Sequence, residues 1–213
     1  MEIIPNTWDG VRKAADYLSA GKLVAWPSPL WWGLSANALD EDAIDRLYTA
    51  KYRPRNQAFI TLVTSVGNAQ QYGELNPVAS TLVDAFWPGY VGVIVRKRPG
   101  VIPDFVTPGR NTVLLACIPD LGHDLPVLAG GPIVATSANI TGAAPALELD
   151  DVLAFARKAG APIDAALDGP VSMFNRPTTT VDTTSTPPRI TRVGVAHPDS
   201  IRRLLPDVTI PPG

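Results

Sequence analysis

The chain has 213 residues, 46% of them hydrophobic, with 18 Lys and Arg against 20 Asp and Glu for a formal net charge of −2. That length fits one large domain and can bury a core without staples, while the charge gives no global attraction to nucleic acid, so strong direct nucleic-acid binding is not expected. One Cys and two His exclude an internal disulfide, a four-ligand Cys/His zinc site and an iron–sulfur site, so no protein-held metal is expected and a reducing cytoplasm is the natural setting.

The chain opens Met1-Glu2-Ile3-Ile4-Pro5 without a basic and apolar leader, and no apolar run approaches the roughly 20 residues of a membrane span. Asn6 or Thr7 can cap a first helix carrying Val11, Ala14, Ala15 and Leu18, with Gly21 as its stop. A buried strand follows at 23–26. Asp40 caps a helix with Ala43, Ile44, Leu47 and Tyr48 on one face, and the strand 59–63 comes next. Asn76 before Pro77 starts a third helix that ends at Pro88-Gly89. Apolar runs at 91–95, 112–118 and 132–136 predict three more strands, and 150–158 a helix stopped by Gly160. Weaker strands are expected at 179–182 and 189–195, then a helix over 198–205. The alternation predicts one α/β domain over 1–205 built on a mixed sheet, with 206–213 as a tail. Proline, at 22 residues, is about twice its usual share of roughly 5%, which reads as many rigid turns in an ordered domain.

Four segments could carry chemistry. In Lys51-Tyr52-Arg53-Pro54-Arg55 an extended backbone would set Lys51 and Arg53 side by side, suited to phosphate or carboxylate; a solvated helix end is the plainer alternative. An apolar strand running into Thr136-Ser137-Ala138-Asn139 places Ser137 and Asn139 at a carboxyl end, where open α/β sheets bind ligands, though Ser and Asn also cap turns. Trp31 and Trp32 in Pro27-Ser28-Pro29-Leu30-Trp31-Trp32-Gly33-Leu34 are either core lids or pocket walls. Trp87-Pro88-Gly89 reads as core and turn. Cys117 lies within an apolar strand, where a buried, inert thiol is expected. No P-loop or Gly-x-Gly-x-x-Gly signature is present.

Together and in this order, the segments resemble the YrdC-type family, the L-threonylcarbamoyladenylate synthases. The likeness runs from about Thr7 to Leu205. It rests on Lys-x-Arg at Lys51 and Arg53, Ser-x-Asn at Ser137 and Asn139, Trp87-Pro88-Gly89, Pro177-Thr178-Thr179-Thr180-Val181-Asp182, and Ile190-Thr191-Arg192-Val193-Gly194. The resemblance implies a YrdC-like twisted mixed β-sheet with flanking helices and a concave nucleotide-binding cavity. It also implies a reaction of ATP, bicarbonate and an amine in which a carbamate attacks the α-phosphate and pyrophosphate leaves, with Mg2+ accompanying ATP. It makes Lys51 and Arg53 the catalytic cations, Ser137, Asn139, Thr179 and Arg192 the nucleotide-binding residues, and Ser28, Leu30 and Trp32 the substrate pocket.

The departures from the pattern concern the substrate side. Leu30 and Trp32 replace a threonine and a tyrosine of the family, and Cys117 replaces an arginine, with Arg55 and Arg110 the nearest cations that could compensate. Two lost hydroxyls lead to the expectation of an amine other than threonine. Two further functions stay open: a carbamoyl-adenylate-handling component that works with a separate carbamoyltransferase, and a non-catalytic nucleotide or RNA binder.

Overall fold

The structure is a computed structural model that describes residues 1–119 and 121–210. In chain order it runs β1 (Glu2–Ile4), α1 (Trp8–Ser19), β2 (Val24–Trp26), β3 (Gly33–Asn37), α2 (Glu41–Ala50), β4 (Ile60–Leu62), α3 (Val66–Tyr72), β5 (Gly73–Glu74), α4 (Pro77–Phe86), β6 (Val91–Lys97), β7 (Thr112–Ala116), α5 (Leu121–Ala129), β8 (Ile133–Ser137), α6 (Leu149–Ala156), β9 (Ala165–Leu167), β10 (Thr179–Asp182), β11 (Arg189–Arg192) and α7 (Pro198–Arg202). One sheet joins the strands in the order β1-β9-β2-β3-β8-β4-β7-β6-β10-β11, with β5 added beside β6. Its pairs are mixed: β2–β9, β4–β7 and β6–β10 are parallel, while β2–β3, β3–β8 and β6–β7 are antiparallel.

The three strongest helix starts behave as their sequences predict. Thr7, Asp40 and Asn76 each accept a hydrogen bond from a backbone N–H in the first turn of α1, α2 and α4, satisfying donors that a helix start otherwise leaves without a partner. The apolar stripes then bury two cores on opposite faces of the sheet. One contains Ala14, Leu18, Trp26, Ile118 and Ala135 against α1 and α5. The other contains Ile44, Leu47, Leu34, Leu115 and Val134 with Phe155 of α6. Alternation along a strand does the sorting: in β8, Ile133 and Ala135 enter the first core and Val134 the second.

Six elements are absent from the pattern-based expectation: β1, β3, α3, β5, α5 and β9. The expected tail is also held further than anticipated. Val208 is buried, and Thr209 donates to Pro188 O and accepts from Ile190 N–H, so the chain as far as Ile210 is fastened beside β11. Residues 211–213 lie outside the described residues.

Candidate functional site

A cavity of about 210 Å³ opens on the sheet face that carries the first core. Its floor is Trp26 and Gly33, its walls include Ser28, Leu30, Trp31, Phe59, Ile60, Ile118 and Ser137, and Pro177, Thr178, Arg192 and Arg53 also line it. β2 and β3 form a tight hairpin partnership here. Trp26 pairs with Gly33 across the strands, and the Trp26 indole N–H donates to Ser35 Oγ at 2.9 Å. A Cβ at position 33 would stand 2.6 Å from the indole ring, so only glycine lets the ring lie flat against the strand.

Arg53 reaches the cavity from just beyond α2. Its guanidinium donates to Ala58 O at 2.8 Å and lies 4.9 Å from the centroid of the Phe59 ring, two contacts that orient a cation without neutralising it. Arg192, at the end of β11, donates through Nε to Thr178 O at 3.0 Å. The Arg192 side chain meets solvent across the cavity, yet protein rings its head group. Burial first, and then the charge of Arg53, lower its tendency to hold a proton; burial does the same to Arg53. Among the described residues neither arginine has a carboxylate partner, and no carboxylate lines the cavity. Two guanidiniums facing one space without counter-ions make a site for an anion.

Lys51 is placed differently from the expectation. It caps the C-terminus of α2 with helical dihedrals, and Tyr52 takes a left-handed φ of 48°, so the segment is not extended and the two cations do not point the same way. The Lys51 side chain is 1% exposed and its Nζ donates to Ser137 O, to Asn139 O at 2.8 Å and to Asn139 Oδ1 at 3.1 Å. Burial, and secondarily Arg53, pull its pKa from 10.5 to about 7.

The other expected residues divide. Ser28, Leu30, Arg53, Ser137 and Arg192 line the cavity together. Asn139 lies behind Ser137, and Thr179 is fully buried, donating to Ala196 O and accepting from Gly194 N–H. The backbone of Thr179 pairs with β6, so alternation gives the cavity wall to Thr178 instead. Trp32 is turned into the second core and is 0% exposed, whereas Trp31 takes the wall. The loop that ends in β3 fixes which tryptophan faces in: Trp32 N–H donates to Ala146 O and Trp32 O accepts from Ala138 N–H. Cys117 also belongs to the second core, while Leu114 and Ile118 of the same run line the cavity; burial pushes its thiol pKa up. Cys117 itself does not line the cavity. Arg55 pairs with Asp45 in solvent and Arg110 is exposed, and neither lines the cavity. Trp26, Phe59 and Thr178 were not singled out as cavity residues from the sequence, whereas Trp31 takes the pocket-wall place that the sequence left open between it and Trp32. Among the described residues no group of three or more His, Cys, Asp or Glu could hold a metal ion, and no helix is long and apolar enough to cross a membrane.

The family model for Sua5, YciO and YrdC proteins, described as "Telomere recombination", matches residues 16–194. The threonylcarbamoyl-AMP synthase of Pyrococcus abyssi is 31% identical over 204 residues, which are 95% of this chain and 59% of that protein. The Bacillus subtilis threonylcarbamoyl-AMP synthase is 33% identical over 135 residues, covering 62% of this chain and 39% of that protein. The structure of P. abyssi Sua5 complexed with L-threonine has a TM-score of 0.91 at 29% identity, over 99% of this chain and 62% of that one. The chain thus spans less than two thirds of the length of these relatives. With a match that takes in β2 to β11 and a sheet that superposes over nearly every residue, the chain belongs to the Sua5/YciO/YrdC family.

Proposed function

We propose that the chain forms a carbamoyl-adenylate from ATP, bicarbonate and an amino acid, and that the amino acid is threonine. The reading rests on Arg53 and Arg192, two cations without carboxylate partners that border one cavity beside Ser137. Each participant in the reaction carries at least one anionic group. The amine first takes up bicarbonate to become a carbamate, with loss of water. A carbamate oxygen then bonds to the α-phosphorus as the bond to the pyrophosphate oxygen breaks. Two guanidiniums hold such groups together against their repulsion and offset the charge that spreads over the phosphoryl oxygens. Trp26, Trp31 and Phe59 give the cavity apolar walls, which strengthen those interactions by excluding water. Magnesium arrives on the ATP as part of the substrate.

Threonine is favoured over another amine because the expected change at Trp32 lies in the core, outside the cavity. It also finds support in the P. abyssi relative, whose structure was solved with L-threonine. Leu30 still lines the wall and offers no hydrogen bond, so discrimination between threonine and valine should be small, and Leu30→Thr should widen it several-fold, about 1 kcal/mol. A transferase that consumes the adenylate is the partner this chemistry requires.

The test follows pyrophosphate release, and the adenylate by mass, with ATP, magnesium, bicarbonate and a panel of amino acids. Release with threonine is expected, reduced about 100-fold or more by Arg53→Ala and by Arg192→Ala. ATP binding without release for any amino acid would make the chain a nucleotide binder. Release only with a different amine would restore the altered-substrate reading.

A further inference from the structure

The guanidinium of Arg53 is held by its own turn along one edge. Nε donates to Gln57 O at 3.4 Å and Nη2 to Ala58 O at 2.8 Å, so two of the five N–H groups of an arginine are spent on successive carbonyls. Three remain for the cavity that Arg53 lines. The plane of the group is set separately, by the Phe59 ring, whose centroid lies 4.9 Å away. Tyr48 touches both restraints. Its hydroxyl donates to Gln57 O at 2.9 Å, the same oxygen that Arg53 uses, and its ring packs against Phe59 with centroids 4.6 Å apart. Two lone pairs let that carbonyl accept both donors. Pro54, Arg55 and Asn56 are exposed, so solvent rather than core surrounds the turn that leads to these carbonyls. The buried stripe of α2, with Ala43, Ile44 and Leu47, needs only a ring at position 48, and phenylalanine would fill the place equally well. The hydroxyl answers to the turn. Burial raises the pKa of the phenol against the lesser, lowering effects of Arg53 and Arg55, so the hydroxyl keeps the proton it donates.

We propose that Tyr48 is a positioning residue that acts through the Gln57 carbonyl and the Phe59 ring on Arg53, fixing the guanidinium so that its free Nη1–Nη2 edge meets two oxygens of one anionic group together. Bidentate pairing needs both N–H vectors aimed at once. A guanidinium free to swing about its stem would offer them one at a time, and a lysine would keep the charge but lose the fork. That the anionic group belongs to a substrate rests on the adenylate-forming reading; the hold of Tyr48 on Arg53 does not.

The experiment is a double-mutant cycle on the whole chain with Tyr48→Phe, Arg53→Lys and the pair, each checked for folding by thermal melting. Tyr48→Phe keeps the ring against Phe59 and removes only the hydroxyl, so the core stays filled. Binding of ATP with magnesium and of L-threonine is titrated separately by the fluorescence of the cavity tryptophans, Trp26 and Trp31, which needs no turnover. Hydrogen exchange is followed at the Arg53 Nε–H, identified as the side-chain NMR resonance that Arg53→Lys removes. Arg53→Lys is expected to weaken the ligand whose oxygens the fork holds. Tyr48→Phe should weaken that same ligand about fivefold, the effect of one hydrogen bond, and add nothing to Arg53→Lys, because both substitutions act on one contact. Exchange at the Arg53 Nε–H should quicken about tenfold or more in Tyr48→Phe. Losses that add in the pair would make Tyr48 a core residue alone and overturn the proposal, as would Nε–H exchange like that of the parent chain. Different ligands weakened by the two single substitutions, or none weakened by Arg53→Lys, would overturn it too. A coupled cycle in a protein that releases no pyrophosphate with any amino acid would sustain the role of Tyr48 and refute the adenylate-forming reading.

Discussion

Lys51 makes the folded state sensitive to pH in a direction opposite to that of a surface lysine. Its pKa falls from 10.5 to about 7 on folding, so between those values the unfolded chain binds the extra proton and the free energy of unfolding rises with pH. Below about 7 both states are protonated and the burial penalty is present in full. Tyr48 and Cys117, whose pKa values burial raises, act the other way at the alkaline end. The Lys51 contribution is therefore read as a difference: urea unfolding of the parent chain should gain stability from neutral to mildly alkaline pH relative to Lys51→Met. At this scale the sequence pointed to residues that lie together in the fold without giving how each side chain is turned. Lys-x-Arg and Ser-x-Asn correctly marked one neighbourhood, but the reading of Lys51 assumed an extended strand where a helix cap and a left-handed Tyr52 turn the two side chains apart. Trp31 and Trp32 could not be told apart either, since the loop before β3 is irregular and hydrogen bonds to Ala138 and Ala146, distant in sequence, decide which ring faces inward.

Among the elements, most of those with their own start signals were legible, α3 with its Ser65 cap being the exception, and those defined by neighbours were not. Asn76 is an instance of the first kind. Its Oδ1 caps α4 and its Nδ2 donates to Thr183 O at 2.7 Å beside β10. Asn76→Ala should cost about 1–2 kcal/mol in urea unfolding, toward the upper end because two contacts go. β3 is of the second kind: Gly33-Leu34-Ser35-Ala36-Asn37 has little intrinsic strand preference, and it is a strand because β2 and β8 flank it on both sides. α5 hid behind Pro126 and Gly122, both poor helix formers. Gly33→Ala tests what β3 contributes to the cavity. The new Cβ would displace the Trp26 ring and break its bond to Ser35. A loss of about 1–3 kcal/mol in unfolding free energy is expected, together with weakened ATP binding from a distorted floor.

On the scale of the whole molecule, the cavity joins segments that are far apart in the chain: the loop after β2, the turn after α2, the end of β8 and the strap from Pro177 to Arg192. The strap is held closely. Gly194 lies under Pro177, where a Cβ would stand 2.0 Å from the Pro177 carbonyl oxygen, and Val195 N–H donates to that same oxygen. A net charge of −2 adds no long-range attraction for anions, so binding depends on the two arginines at short range. ATP affinity should fall only modestly as added salt shortens the Debye length toward about 3 Å at 1 M, because a pair inside a cavity is screened less than one on a surface; a steep fall in a salt titration would place the anion outside the cavity.

The position of Arg192 also bears on when the site comes into being. During synthesis the amino-terminal elements can begin to organise first, but the second guanidinium arrives on β11, after the floor and the first wall have emerged. A growing chain that has already laid down the floor and one wall still lacks half of its anion grip. On the proposed reading, competence for the nucleotide therefore reports that β10 and β11 have docked, and a bound nucleotide in turn favours the docked state over any partly opened one. The same contact that orients an anion ties the late-made edge of the sheet to the early-made centre.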